Sequence, residues 1–140
     1  MIIVDTNVIS EAMRIQPDQA VAVWFDLQPA QSLYLCTPVL AELLYGIERL
    51  GDGKKKDLLV AAVGRFENEL YRGRILAFDQ PAASHYARMV ASREREGRRR
   101  AQMDALIAAI AITHGAAVAT RDIDDFAGLG LNLINPFAPN

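Results

Sequence analysis

The run Ala105-Leu106-Ile107-Ala108-Ala109-Ile110-Ala111-Ile112 is the longest unbroken apolar stretch in the chain, at eight residues. With Met103-Asp104 ahead of it and His114-Gly115 behind, it reads as a helix that is apolar nearly all round. A surface helix has one dry stripe and one wet side, so a helix without a wet side must be covered from every direction. Eight residues also fall far short of the roughly 20 that cross a bilayer, so no membrane partner is expected and the cover must be protein. A chain of 140 residues, 51% hydrophobic and 23% charged, can build that core within one domain. We therefore expect residues 1–140 to form a single globular unit.

The remaining segments say what covers the helix. Met1-Ile2-Ile3-Val4 is a short continuous apolar run, as in a strand buried on both faces of a parallel sheet. Ser32 to Cys36, Ile75 to Phe78, Ala116 to Ala119 and Leu131 to Ile134 are further strand candidates. Helical spacing separates them. Asp18 to Leu27 carries Val21, Trp24, Phe25 and Leu27, and Thr37-Pro38 opens a helix striped by Leu40, Leu43, Leu44, Ile47 and Leu50. Leu59, Val63, Phe66 and Leu70 form another stripe, and Asp79-Gln80-Pro81 begins a helix that runs to about Gly97. Strands alternating with helices imply right-handed crossovers and a parallel sheet covered by helices. The expected fold class is α/β, a three-layer sandwich around a sheet of four to five strands. Ligands of such sheets sit beyond the carboxyl ends of the strands.

Four acidic segments converge on that edge. Asp5 directly follows the first strand, although a helix N-cap alone would account for its residue type. Asp104 heads the apolar helix, where the helix dipole stabilises it by about 0.3–1 kcal/mol. Glu42 lies away from the centre of its apolar stripe, as a solvated residue would. Gly46, one turn further along that face, weakens the helix by about 1 kcal/mol relative to Ala, and close approach of another group would explain it. Asp122, Asp124 and Asp125 follow the fourth strand in a turn where Asp is common. Together these carboxylates suit a hard cation, Mg²⁺ or Mn²⁺, and metal-assisted attack of water on a phosphodiester.

The segments that carry these acids resemble the PIN-domain ribonuclease toxins of the VapC family, and the opening and ending resemble their FitB-like branch. The resemblance runs through Met1-Ile2-Ile3-Val4-Asp5-Thr6-Asn7, Thr37-Pro38-Val39-Leu40-Ala41-Glu42-Leu43 with Gly46, and Met103-Asp104-Ala105-Leu106-Ile107. It continues in Ala119-Thr120-Arg121 with Asp125-Phe126 and in Asn135-Pro136-Phe137, so it spans the chain in order. It implies a Mg²⁺-dependent endoribonuclease, with Asp5, Glu42, Asp104 and one carboxylate after Thr120 as the acidic set, and Asp5 and Asp104 as principal metal ligands. Many relatives carry Asn where this chain has Asp122. Asp125 matches the family's Asp-Phe pair, while Asp122 stands nearer the strand end, and both stay candidates. Thr6, Asn7 and Thr120 are positioned to orient the ligating carboxylates, or to serve as plain turn and cap residues. The resemblance further implies the toxin of a type II toxin–antitoxin pair, a cognate small antitoxin with a DNA-binding domain, an RNA substrate, and a homodimer or hetero-oligomer. A PIN-fold nuclease of RNA maturation and a catalytically silent partner-binding protein are the alternatives.

Other readings carry less. Cys36 is the sole cysteine, so neither an intramolecular disulfide nor a cysteine-rich zinc site can form. Met1 to Ser10 lacks a signal-peptide pattern, and a cytoplasmic location is expected. His85 and His114 suit helix positions without catalysis. An aspartyl-phosphate mechanism of the haloacid dehalogenase kind would need a second Asp where Asn7 stands. Arg88, Arg93, Arg95, Arg98, Arg99 and Arg100 cluster ahead of Asp104, and Lys54-Lys55-Lys56 form a second basic group. Arg98, Arg99 and Arg100 are the expected contacts to RNA phosphates. The formal net charge of −2 at first counts against a polyanion partner. Setting aside the four acids of the proposed site leaves the rest of the chain at +2.

Overall fold

A computed structural model describes residues 1–98 and 101–138. The strands are β1 (Ile2–Val4), β2 (Leu33–Cys36), β3 (Ile75–Leu76), β4 (Ala117–Ala119) and β5 (Leu133–Ile134). They form one parallel sheet in the order β3-β2-β1-β4-β5. Its helices are α1 (Thr6–Ala12), α2 (Gln19–Leu27), α3 (Thr37–Glu48), α4 (Lys54–Arg65), α5 (Gln80–Arg95), α6 (Gln102–His114) and α7 (Ile123–Phe126). This is the expected three-layer α/β class. None of these helices is long and apolar enough to cross a membrane.

The topology fixes where a site can form. From β1 the chain steps outward to β2 and β3, then returns past β1 to β4 and β5. β1 and β4 are neighbours whose following connections leave in opposite directions, which opens a crevice above their carboxyl ends. Ile2 pairs with Ala117, Ile3 with Val118 and Val4 with Ala119. That register sets Asp5 level with Thr120, and the Asp5 N–H donates to the Ala119 carbonyl at 2.9 Å.

α6 is the buried helix that its sequence demanded. Ile107, Ala108, Ala109, Ile110 and Ala111 are all wholly inaccessible, and α5 lies along it in the most extensive helix pair of the fold. The alanines permit that close approach, since interaxial distance follows side-chain size. Gly115 ends the helix in the left-handed conformation, φ 62°, which a residue with a Cβ resists. Val4, Val8, Val39 and Val118, all fully buried, join the same core.

Several details differ from expectation. A short helix that the sequence reading did not delimit, α1, begins at Thr6, where the Asp5 carboxylate accepts from the Thr6 N–H at 2.7 Å and caps it. α3 buries Pro38, Val39, Leu43 and Ile47, leaving Leu44 exposed. Leu44 lies about 100° round the helix from Leu43 and so misses the buried stripe. Arg93, one of the clustered arginines, does not face water. It is buried, donates to the Ala127 carbonyl at 2.6 Å and lies 3.8 Å from Glu96. Its guanidinium fills the space beside Gly128, φ 77°, where a Cβ would stand 3.0 Å from Nη2. The Asp-rich turn also contains a helical turn, α7, anchored by the fully buried Phe126.

Candidate active site

Three sheet-edge segments meet in one hydrogen-bonded network. Asp5 is 3% exposed, and each of its oxygens is engaged. Oδ1 accepts from the Thr6 N–H, and Oδ2 accepts from the Thr120 hydroxyl at 2.8 Å and from Asn7 Nδ2 at 3.4 Å. The same Thr120 oxygen accepts from the Asp122 N–H at 2.9 Å. Asn7 then spans the crevice, donating to Asp122 Oδ2 at 3.0 Å while its own Oδ1 accepts from the Arg121 N–H at 3.2 Å. Glu42, half-buried on α3, accepts from the Thr6 hydroxyl at 2.7 Å. Thr6, Asn7 and Thr120 thus each donate to a carboxylate.

The electrostatics follow from this crowding. Burial raises the pKa of Asp5 above the ordinary 3.8, opposed by the Thr120 and Thr6 hydrogen bonds and reinforced by the charges of Glu42 and Asp122. Asp104, half-buried in the first turn of α6, rises from 3.8 to about 6, first through burial and then through Asp5, Asp125, Glu42 and Asp122. These causes place all five carboxylates within one field. Among the described residues, none of the ion pairs engages any of them. Their direct donors are uncharged. Asp122 belongs to the Asp5 network, whereas Asp125 acts more strongly on Asp104 than Asp122 does. Asp124 is exposed, as expected of a solvated residue.

The donor set suits a hard divalent cation, since it is made of carboxylate oxygens with a surplus of negative charge and, among the described residues, no ion-pair partner. Among the described residues, no three His, Cys, Asp or Glu side chains lie close enough together to cage a metal ion. A cation that keeps several waters and uses one or two carboxylates needs no such cage. Cys36 ends β2 beneath the site, and burial pushes its thiol up to about 12, so it stays protonated and unreactive.

Other sequence candidates fall elsewhere. Arg98 is exposed where α5 closes, its N–H donating to the Arg93 carbonyl at 2.8 Å, while Arg99 and Arg100 lie outside the described residues. His85 contacts Arg88 at 3.3 Å on α5, and His114 is exposed at the end of α6. Apart from its chain neighbours and its own helix backbone, none of the described residues would come within 4 Å of a Cβ at Gly46. It instead lines a groove of about 1080 Å³ that starts at Thr6 and Glu42 and passes Leu58 to Lys54 and Lys55. Sequence reasoning missed Arg121, whose guanidinium lies 3.6 Å above the Phe137 ring. Its place directly after a strand was the available signal.

Comparison with known proteins agrees with this geometry. Residues 2–130 match the model of the PIN domain. The chain is 40% identical over 142 residues to VapC ribonuclease Y4jK of Sinorhizobium fredii, covering 99% of each protein. It is 39% identical over 137 residues to Toxin FitB of Neisseria gonorrhoeae, covering 98% of this chain and 99% of that one. In three dimensions it matches a chain of FitAB bound to an IR36 DNA fragment with a TM-score of 0.92 and 38% identity, over 100% of this chain and 98% of the other. The chain therefore belongs to the PIN-domain family, within the branch that holds the VapC and FitB toxins.

Proposed function

We propose that the chain is the toxin of a type II toxin–antitoxin pair and acts as a Mg²⁺-dependent endoribonuclease. One observation carries this reading most: the charges of Asp5, Glu42, Asp122 and Asp125 all act on Asp104 at the carboxyl edge of the sheet, and among the described residues no ion pair engages any of the five. Asp5 and Asp104 would hold Mg²⁺, or Mn²⁺ in its place. When bound, such an ion supplies Lewis-acid activation of water and stabilises charge on phosphate oxygens. The chain's own residues supply the rest. Thr6 and Thr120 fix both oxygens of Asp5, Thr6 fixes Glu42, and Asn7 fixes Asp122, so the carboxylates meet substrate already oriented. The carboxylates not engaged by the cation order water and accept its proton. In-line attack of that water on the phosphodiester breaks the P–O3′ bond, leaving a 5′-phosphate and a 3′-oxygen that takes a proton from solvent to become a hydroxyl.

The VapC and FitB relatives favour a toxin over a nuclease of RNA maturation. The expected partner is a small antitoxin with a DNA-binding domain, and the assembly a hetero-oligomer built on a dimer of this chain. The groove beside Thr6 and Glu42, with exposed Leu58 and the Lys54-Lys55 pair, offers apolar and cationic contacts to a segment of that partner. Arg98, Arg99 and Arg100 remain proposed contacts to RNA phosphates. The deciding experiment is RNA cleavage by purified protein with Mg²⁺, with excess chelator, and after Asp5→Asn or Asp104→Asn. Cleavage should vanish in the last three while the fold survives. Full activity in chelator, or in either folded variant, rejects the mechanism. Asp122→Asn and Asp125→Asn, tested side by side, identify the fourth acid by the larger loss.

A further inference from the structure

We propose that Arg121, laid flat on the ring of Phe137, binds a backbone phosphate of the RNA beside the acidic cluster, an inference that rests on the ribonuclease function proposed above. Arg121 sits between Thr120, which holds Asp5, and Asp122, and its own N–H is tied to Asn7. It therefore stands at the mouth of the crevice. Its guanidinium carbon is 3.6 Å from the Phe137 centroid, against 5.6 Å for Arg49 over Tyr45 and 5.4 Å for Arg74 over Tyr71. At that separation the two planes are in contact, and the ring's negative face holds the cation.

The other well-held arginines show why this one differs. Arg93 is buried and uses its guanidinium on the Ala127 carbonyl and Glu96. Arg74 donates to the carbonyls of Ala30, Leu33 and Leu70. Both are structural clamps that direct their guanidinium donors to backbone carbonyls. Arg121 is exposed, its face stacked on the ring, and among the described residues no acceptor engages its coplanar N–H edge. That edge matches the oxygens of a phosphate in bidentate fashion. Neighbouring carboxylates also pose a hazard, since a free guanidinium would fold onto Asp5 or Asp122 and neutralise the site. The ring prevents this by holding the cation in place. Phe137 is in turn set by its N–H donating to Asn135 Oδ1 at 3.0 Å, which gives the Asn135-Pro136-Phe137 segment a task in substrate binding. Phe137 is a positioning residue, acting through Arg121.

Binding of a mixed-sequence single-stranded RNA to the Asp104→Asn protein, measured across a salt series, tests this without cleavage. Adding Arg121→Ala should weaken affinity about tenfold at low salt and reduce the slope of log affinity against log salt by about 0.7. Adding Arg121→Lys should preserve the slope while losing part of the affinity. Phe137→Leu should cost about threefold, and Phe137→Trp should restore it. A merely structural arginine would shift the thermal midpoint and leave the salt slope alone. An unchanged slope in folded Arg121→Ala overturns the proposal, as does absence of RNA binding by the Asp104→Asn parent. A loss confined to binding of the antitoxin protein overturns it as well. Failure of the nuclease mechanism shows separately, as cleavage that survives Asp5→Asn or chelator.

Discussion

The two ends of α1 each bury a carboxylate, and the two are held in opposite ways. Glu11, 9% exposed near the helix end, accepts from the Asp18 N–H at 3.0 Å and lies 3.4 Å from Arg14. Asp5, 3% exposed at the helix start, accepts only from neutral donors, and Glu42 and Asp122 add like charge to its surroundings. At Glu11 the charge is answered and the backbone entering α2 is pinned. At Asp5 the charge is fixed in place but left uncompensated. A folding chain has no stability to gain from gathering five acids without a cation, so the second arrangement makes sense for a group that arrives later.

A single change of a polar group should affect the two ends very unequally. Thr120→Val keeps the buried volume but removes the donor to Asp5 Oδ2 and the acceptor for the Asp122 N–H. RNA cleavage per folded molecule should fall about 10- to 100-fold, the usual cost of losing a group that orients a metal ligand. Glu11→Gln, at the other end of the same helix, should leave cleavage per folded molecule unchanged. Equal losses in the two variants would erase the distinction between them.

Much of this was legible before any coordinates. α6 declared its burial by having no polar face, and Met1 to Val4 declared a central strand, so the sheet edge and the acids upon it could be located. Register made the rest difficult. Nothing local to Asn7 says that it reaches Asp122, because that contact depends on β1 and β4 pairing as neighbours although 115 positions separate the two residues. Arg93 misled for a similar reason. Its partners, Ala127 and the space beside Gly128, come from a loop beyond β4, and a charge run on a helix ordinarily points to water. Arg121 was part of a recognised motif, but its stack needs Phe137 from the end of the chain.

Stability should reverse the ranking that activity gives. Glu11→Ala removes the charged acceptor of the Asp18 N–H and the partner of Arg14. The expected loss is about 1–3 kcal/mol in urea unfolding. Asp5 stands in a costlier setting, yet the conservative Asp5→Asn should lose less, because the change discards a desolvated charge while keeping an oxygen for capping. If Asp5→Asn proved the more damaging of the two, its carboxylate would be a device of the fold, like Glu11.

The finest test is pH, applied to Asp104 in the absence of divalent cation. Its pKa is raised from 3.8 to about 6 in the folded chain, so the folded state holds a proton more tightly than the unfolded one. The stability this contributes is fully present below about pH 4 and is lost as pH rises through about 6. At neutral pH the wild-type chain therefore carries the whole ionisation penalty, and Asp104→Asn escapes it. The variant should be more stable by about 1–2 kcal/mol at pH 7, after discounting for partial exposure. That advantage should shrink toward zero as pH falls to about 4. Mg²⁺ should narrow the gap at pH 7 by stabilising the wild type alone, because a ligand of the folded state raises its stability by mass action. An advantage that ignored pH would trace to packing at the head of α6, and one that ignored Mg²⁺ would remove Asp104 from the proposed metal ligands.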